Sequence, residues 1–215
     1  MNIKASRGLW TVIFVMALLC FPVSSWSDDD VPNPQTLPGP PPVRSWLSSS
    51  VKEIGGPFSL TDQDGHHVTD QDYAKYYKLI YFGYTSCPSE CPMALAKLVK
   101  ALSIMGKDAE NMRILFITTD PKRDTPDVMK KYLGRYWSNQ TVGLSGTPKE
   151  TMDVENKFRI YAEEATDPRY SGYMVDHSTV IYFTGPDGRL LTVFNPADSV
   201  AIIVGKLRRS MKKTD

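Results

Sequence analysis

From residue 45 onward, hydrophobic residues fall into short blocks separated by polar turns, and the period within each block tells which element it builds. The segments around Phe58 to Leu60 and His67 to Thr69 flank Asp64-Gly65, a turn signal, so an N-terminal β-hairpin is expected. KLIYFGY, residues 78–84, is a nearly continuous apolar and aromatic run, the pattern of a strand buried on both faces. Helical sequence follows, beginning at Cys87-Pro88 and running through LAKLVKALSIM. RILFIT, residues 113–118, predicts a second buried strand. Thr125-Pro126-Asp127 is a helix start, with Thr as N-cap and Pro in the first turn, and that helix should stop near Gly134. Thr147-Pro148-Lys149-Glu150 repeats the device and adds a capping box. STVIYF, residues 178–183, reads as another strand, and the turn Gly185-Pro186-Asp187-Gly188 leads it into LLTVF. Asn195-Pro196-Ala197-Asp198 is expected to cap a last helix, AIIVGKLRRSM.

That order, strands alternating with helices and ending in a hairpin, predicts an α/β protein with a central mixed sheet flanked by helices. With an N-terminal hairpin in front, it suits a thioredoxin-like fold over residues 51–215.

The N-terminus follows different rules. Lys4 and Arg7 precede an apolar run from Leu9 to Val23, and Ser24, Ser25 and Ser27 come after it. A basic region, an apolar region and small residues in that order are the layout of a secretory signal. As a helix the run would reach roughly 22 Å at ~1.5 Å per residue, and extension to Trp26 brings it near a membrane's width. Residues 1–27 are therefore read as either a signal peptide or an N-terminal membrane anchor, and both imply export. Leu19 stands where a lipoprotein signal wants a small residue, which argues against lipid modification of Cys20. Residues 28–50 read as a Pro-rich linker, with six prolines between Asp28 and Arg44.

Charge narrows the partners. With 25 basic and 24 acidic side chains the net charge is +1, so no polyanionic partner and no nucleic acid is predicted. The basic cluster Lys206, Arg208, Arg209, Lys212 and Lys213 reads as a solvated helix end rather than a docking surface. The chain has three cysteines, two of them four residues apart; this is no disulfide scaffold, and a close pair signals redox or metal chemistry.

The chemistry is concentrated in TSCPSECP, residues 85–92, at a strand-to-helix junction. A helix N-terminus stabilises a thiolate. In a regular helix Cys87 and Cys91 would share a face, with Cβ atoms ~5–6 Å apart. Two thiols so placed can close on one metal or form a disulfide. Three residues between the cysteines, rather than two, argue against an ordinary thioredoxin-type oxidoreductase. A peroxiredoxin would need Pro and Thr where Ile80 and Tyr84 stand. A metal held by two thiolates needs a further donor. His66 and His67 lie beside a hairpin turn and read as exposed loop residues, whereas His177 directly precedes STVIYF, where the fold turns its loop toward the cysteine helix.

The stretches GGPFSLTDQDG, YFGYTSCPSECP, FITTDPKRDTP, VGLSGT and VDHSTVIYFTGPDG together resemble the Sco/SenC family of copper proteins, from about Gly55 to the C-terminal helix. The resemblance implies a thioredoxin-like fold and copper, Cu(I) or Cu(II), bound by Cys87, Cys91 and His177. It also implies a metallochaperone role in building the binuclear copper centre of cytochrome c oxidase, with that enzyme's copper-site subunit as partner. Asp120 matches the first Asp of the family's DPxRDT element and would support the site; it can equally be an Asp-Pro turn residue. Soft sulfur suits Cu(I) and imidazole also admits Cu(II), while zinc usually takes four ligands in a closed site. The alternative function is a thiol–disulfide oxidoreductase that reduces the target's cysteines, with Cys87 attacking and Cys91 resolving. Further partners would then be other copper carriers or thiol reductants, and a membrane if the N-terminus stays uncleaved. The implied location is the periplasmic face of a bacterial inner membrane or the soluble periplasm.

Overall fold

In the computed structural model the chain divides into two units, Met1–Pro41 and Pro42–Asp215. The structure describes residues 54–136, 139–169 and 172–212, so the expected signal or anchor, the linker and Cys20 lie outside the described residues. No helix among the described residues is long and apolar enough to cross a membrane.

The alternation of one strand organises the rest. In β3 (Tyr77–Gly83) Leu79 and Tyr81 point to one side of the sheet and Ile80 and Phe82 to the other, all of them buried. The next parallel strand, β4 (Met112–Thr118), does the same with Ile114 and Phe116 against Leu115 and Ile117. Two cores result. The first packs under α1 (Glu90–Met105), α2 (Pro126–Leu133) and α4 (Val200–Met211), and the second under α3 (Pro148–Phe158) and β1 (Ser59–Asp62). Burial on both faces is why these strands read as continuous apolar runs.

The sheet holds seven strands in the order β2-β1-β5-β4-β3-β8-β9, with β2 His67–Thr69, β5 Thr141–Ser145, β8 Ile181–Thr184 and β9 Leu190–Phe194. Strands β3, β4 and β5 are parallel; β1 on β5, β2 on β1, β8 on β3 and β9 on β8 are antiparallel. This mixed sheet with helices on both faces is the thioredoxin-like arrangement, and the N-terminal hairpin pairs as expected.

Several elements depart from the sequence reading. Helix α1 starts at Glu90 rather than at Cys87, because Pro88 disfavours helical backbone for the residue before it. Strand β5 was not foreseen, since Gly143 at its middle breaks the apolar pattern. The glycine is needed there: a Cβ would come within 2.6 Å of Leu133 Cδ1, so its absence lets α2 settle on the sheet. A separate two-stranded ribbon of β6 (Ala162–Thr166) and β7 (Tyr173–His177) was also unforeseen, its first strand being largely exposed and polar. His177 accordingly ends a strand instead of sitting in a loop, and β8 begins three residues later than STVIYF suggests. Ser199, not the Asn195–Asp198 segment, caps α4, its hydroxyl accepting from Ile202 N at 3.3 Å.

The α3 start behaves as expected: Glu150 N donates to Thr147 Oγ1 at 3.2 Å, and Thr147 N donates to Glu150 Oε2 at 2.8 Å. Thr147→Ala should lower the unfolding free energy by ~1 kcal/mol. Urea denaturation checks this, and the loss should move the midpoint while leaving the slope unchanged.

Candidate metal site

At Gly83 the last position of β3 carries no Cβ. One built there would lie 2.7 Å from Cys91 Sγ and 2.9 Å from Phe116 Cε2. The glycine therefore opens the seat into which α1 lowers its second residue, Cys91, which is fully buried. Between strand and helix the chain makes one turn, closed by Cys87 N donating to Tyr84 O at 3.2 Å. Pro92 occupies the first turn of α1, where no helical partner awaits its missing N–H. Cys87 thus precedes the helix, and the expectation of two cysteines on one regular helix face is corrected. Its sulfur instead accepts the free Cys91 N–H of the first turn at 3.3 Å.

The third donor arrives from across the fold. His177 ends β7, paired with Ala162, and its Nε2 lies 3.6 Å from Cys91 Sγ. Its Nδ1 lies 3.0 Å from the Ser178 carbonyl oxygen. A carbonyl only accepts, so Nδ1 donates there and Nε2 is the ring atom that faces the sulfurs. The rings of Tyr81 and Tyr84 stand edge-on to the imidazole, with centroids at 6.4 and 5.7 Å, and Tyr81 OH points at Cys91 Sγ from 3.7 Å. The donor atoms of Cys87, Cys91 and His177 all lie within 4.8 Å of one another.

This set fits a single metal ion. Bonds of about 2.3 Å to sulfur and 2.0–2.1 Å to nitrogen hold an S and an N donor about 3.5–3.8 Å apart at trigonal to tetrahedral angles. The observed 3.6 Å between Cys91 Sγ and His177 Nε2 meets that spacing without rearrangement. Two sulfurs and one imidazole are a soft set that favours late first-row metals over magnesium or calcium.

The two thiols are electrostatically unequal. Cys87 is held well below the ordinary thiol range, chiefly by the hydrogen bond from the Cys91 thiol and further by His177 and the Cys91 and Ser89 N–H groups, against the opposing effect of burial. Cys91 is pushed up by the sulfur of Cys87 and then by its own burial. Cys87 is the half-buried member, so the thiol that ionises first is also the one that solvent reaches.

Asp120 does not join the cluster. It is buried, ion-paired to Arg123 Nε, and its Oδ1 accepts from Tyr173 OH at 2.8 Å. Arg123 also donates to the Tyr173 carbonyl at 2.9 Å and stacks on the Tyr173 ring, 3.8 Å from its centroid. Tyr173 begins β7, the strand that ends at His177. His66 and His67 are exposed and hydrogen-bond to Asp62 and Ser59, away from the cysteines. Sequence reasoning passed over Asp124, which binds the Cys87 turn through Thr85. Only its place in the same short motif as Asp120 could have drawn attention to it.

Fold and site together define a thioredoxin-like protein that gathers two cysteines and a histidine at the sheet's end. Residues 48–212 match the SCO1/SenC family, and the chain belongs to that family. The Schizosaccharomyces pombe "Protein sco1" is 38% identical over 167 residues, covering 75% of this chain. The match takes in 63% of that relative, so the chain spans less than two thirds of its length. Among solved structures, Bradyrhizobium japonicum ScoI with copper bound is 41% identical, with a TM-score of 0.66 over 73% of this chain and 99% of that one. Arabidopsis thaliana ScoI with copper bound is 31% identical, with a TM-score of 0.71 over 74% and 99%.

Two measurements check the site. In reduced, metal-free protein, iodoacetamide should modify Cys87 well before Cys91. The Cys87 rate should stay nearly flat from pH 8 to 6, because a lowered pKa keeps it thiolate throughout. An unperturbed thiol, mostly protonated across that range, slows ~100-fold over two pH units. Gly83→Ala should cost ~1–3 kcal/mol by overpacking and also weaken metal binding, read by thermal denaturation and metal titration in parallel.

Proposed function

We propose that this chain is a copper metallochaperone. It binds one copper ion through Cys87, Cys91 and His177 and delivers it in building the binuclear copper centre of cytochrome c oxidase. The observation that carries this reading is the convergence of two sulfurs and an imidazole nitrogen within 4.8 Å. Bradyrhizobium japonicum ScoI and Arabidopsis thaliana ScoI, 41% and 31% identical to this chain, have copper bound, which supports copper as the cargo.

The residues suit uptake and release. Binding displaces protons from the thiols, and Cys87, which ionises first, takes the cargo at least cost. His177 turns Nε2 toward the cargo, because Nδ1 is committed to Ser178 O. The half-exposed Cys87 is the donor that an incoming sulfur of a partner displaces first, while the buried Cys91 holds on until transfer is complete. Asp120 would support the site by anchoring β7 through Arg123 and Tyr173. The receiving partner on this reading is the copper-site subunit of the oxidase. Residues 1–27 serve as signal or anchor and 28–50 as linker, placing the folded unit on the outer face of a bacterial inner membrane or in the periplasm.

A second reading is favoured by the unequal thiols. The Cys87 thiolate attacks a disulfide of the target, breaking its S–S bond, forming a mixed disulfide and releasing one target thiolate. Cys91 then loses its proton and attacks Cys87 Sγ, which releases the second target thiolate. The target gains two electrons, and Cys87–Cys91 becomes a disulfide that another thiol reductant must reopen. The two activities share both cysteines and differ at His177.

Cys87→Ser, Cys91→Ser and His177→Ala should each weaken copper binding by more than the ~10–100-fold that loss of an outer support costs. Competition against a chromophoric chelator, with one copper per wild-type chain, measures this. His177→Ala should keep most dithiol reductase activity toward a small disulfide. Unchanged copper affinity in His177→Ala contradicts the three-ligand site.

A further inference from the structure

Asp124 is fully buried, yet the groups that satisfy its carboxylate are threonines and an amide rather than a cation. Oδ2 accepts from Thr85 N at 2.9 Å and from Thr118 Oγ1 at 2.7 Å, and Oδ1 accepts from Thr85 Oγ1 at 2.5 Å. Its carbonyl accepts from Ser145 Oγ at 2.8 Å, and its N–H donates to Asp120 O at 2.9 Å. One residue thereby joins the ends of β4 and β5 to the loop after β3. Burial pushes this carboxyl's pKa up, and the hydrogen bonds from Thr118 and Thr85 oppose that rise. A buried carboxylate is a costly way to join strands unless its hydrogen bonds are fully made.

What those bonds hold is specific. The turn that delivers Cys87 runs from Tyr84 to Cys87, closed by Cys87 N on Tyr84 O. Thr85 is the first central residue of that turn, and Asp124 takes both its N–H and its hydroxyl. Fixing that residue fixes where Cys87 emerges, which in turn sets its sulfur against the Cys91 N–H.

We infer that Asp124 is a positioning residue for the Cys87–Cys91–His177 site, its carboxylate locking the Tyr84–Cys87 turn so that the Cys87 sulfur is presented to Cys91 and His177. The copper part of this inference rests on the metallochaperone reading. The dithiol part does not, because placement of two thiols also governs how readily they join. The same loop reaches the other half of the site through Asp120, Arg123 and Tyr173, so the two acids of one short loop address the two ligand-bearing segments separately.

The experiment compares the full chain with Asp124→Ala, Asp124→Asn and Thr85→Val. Asn can keep the pattern: its amide oxygen accepts from Thr85 N and Thr118 Oγ1, and its NH2 donates to Thr85 Oγ1. Copper affinity is read by chelator competition. The metal-free dithiol is read by equilibration with glutathione, where glutathione disulfide is reduced to two thiols as Cys87–Cys91 closes. Circular dichroism and thermal midpoints report the fold. Asp124→Ala should lower copper affinity ~10–100-fold. It should also make the Cys87–Cys91 disulfide harder to form by about tenfold in the equilibrium constant, about 30 mV. Asp124→Asn should recover most of both, and Thr85→Val should show smaller shifts in the same direction. A folded Asp124→Ala with a lower thermal midpoint but unchanged affinity and glutathione equilibrium overturns the inference. If Asp124→Ala does not fold, Thr85→Val decides, and wild-type values for both readouts overturn it. Should wild-type chain bind no copper, the metallochaperone reading fails, while the glutathione equilibrium still decides the role of Asp124.

Discussion

The site depends on one close approach, that of the first turn of α1 to the end of β3. The strand is buried on both faces, so side chains fill every position along it until Gly83, where the missing Cβ leaves space for a sulfur atom. Cys91 takes that space and is fully enclosed, with Tyr81 beneath it and His177 beside it. A methyl group at residue 83 would occupy the same volume as Cys91 Sγ. Packing of the sheet and placement of the Cys91 sulfur are therefore one steric problem with one solution.

Around that fixed sulfur, the other two donors are set from outside the helix. Cys87 is delivered by a turn whose first central residue is tied to Asp124, and His177 by a strand whose far end is tied through Arg123 to Asp120. Both ties leave the Asp120–Asp124 loop, which is itself pinned to the end of β4 by Thr118. A loop anchored on the central sheet can hold two otherwise separate segments in register more firmly than either could hold itself. This agrees with the general finding that outer partners orient metal ligands.

The asymmetry of the thiols links geometry to both functional readings. A half-exposed thiolate beside a buried, protonated thiol suits stepwise metal exchange, in which one donor is open to a partner and the other retains the cargo. It also suits attack and resolution in disulfide exchange. The histidine separates the readings, because imidazole completes a metal site and takes no part in moving electrons between thiols. Its Nδ1 contact with Ser178 O keeps Nε2 directed at the sulfurs, an arrangement with clear use for a metal and little for a reductase.

Sequence alone determined the buried strands, since a two-sided apolar run such as KLIYFGY has few other structural uses. It also determined the capped helices, because Thr-Pro starts satisfy local backbone groups without reference to the rest of the fold. The cysteine pair and His177 stood out as candidate donors from residue type, spacing and motif, and the fold brings the three together. Tertiary structure decided what depends on contacts distant in sequence. Strand β5 is a strand because α2 packs onto Gly143, and the β6–β7 ribbon, half polar, forms by pairing with itself at the sheet's end. Pro88 placed Cys87 before the helix, where its sulfur caps the first turn instead of sharing a face with Cys91. Asp124 stayed hidden because nothing local marks it: its meaning lies in hydrogen bonds to Thr85, 39 residues earlier, which exist only once β3 and β4 lie side by side.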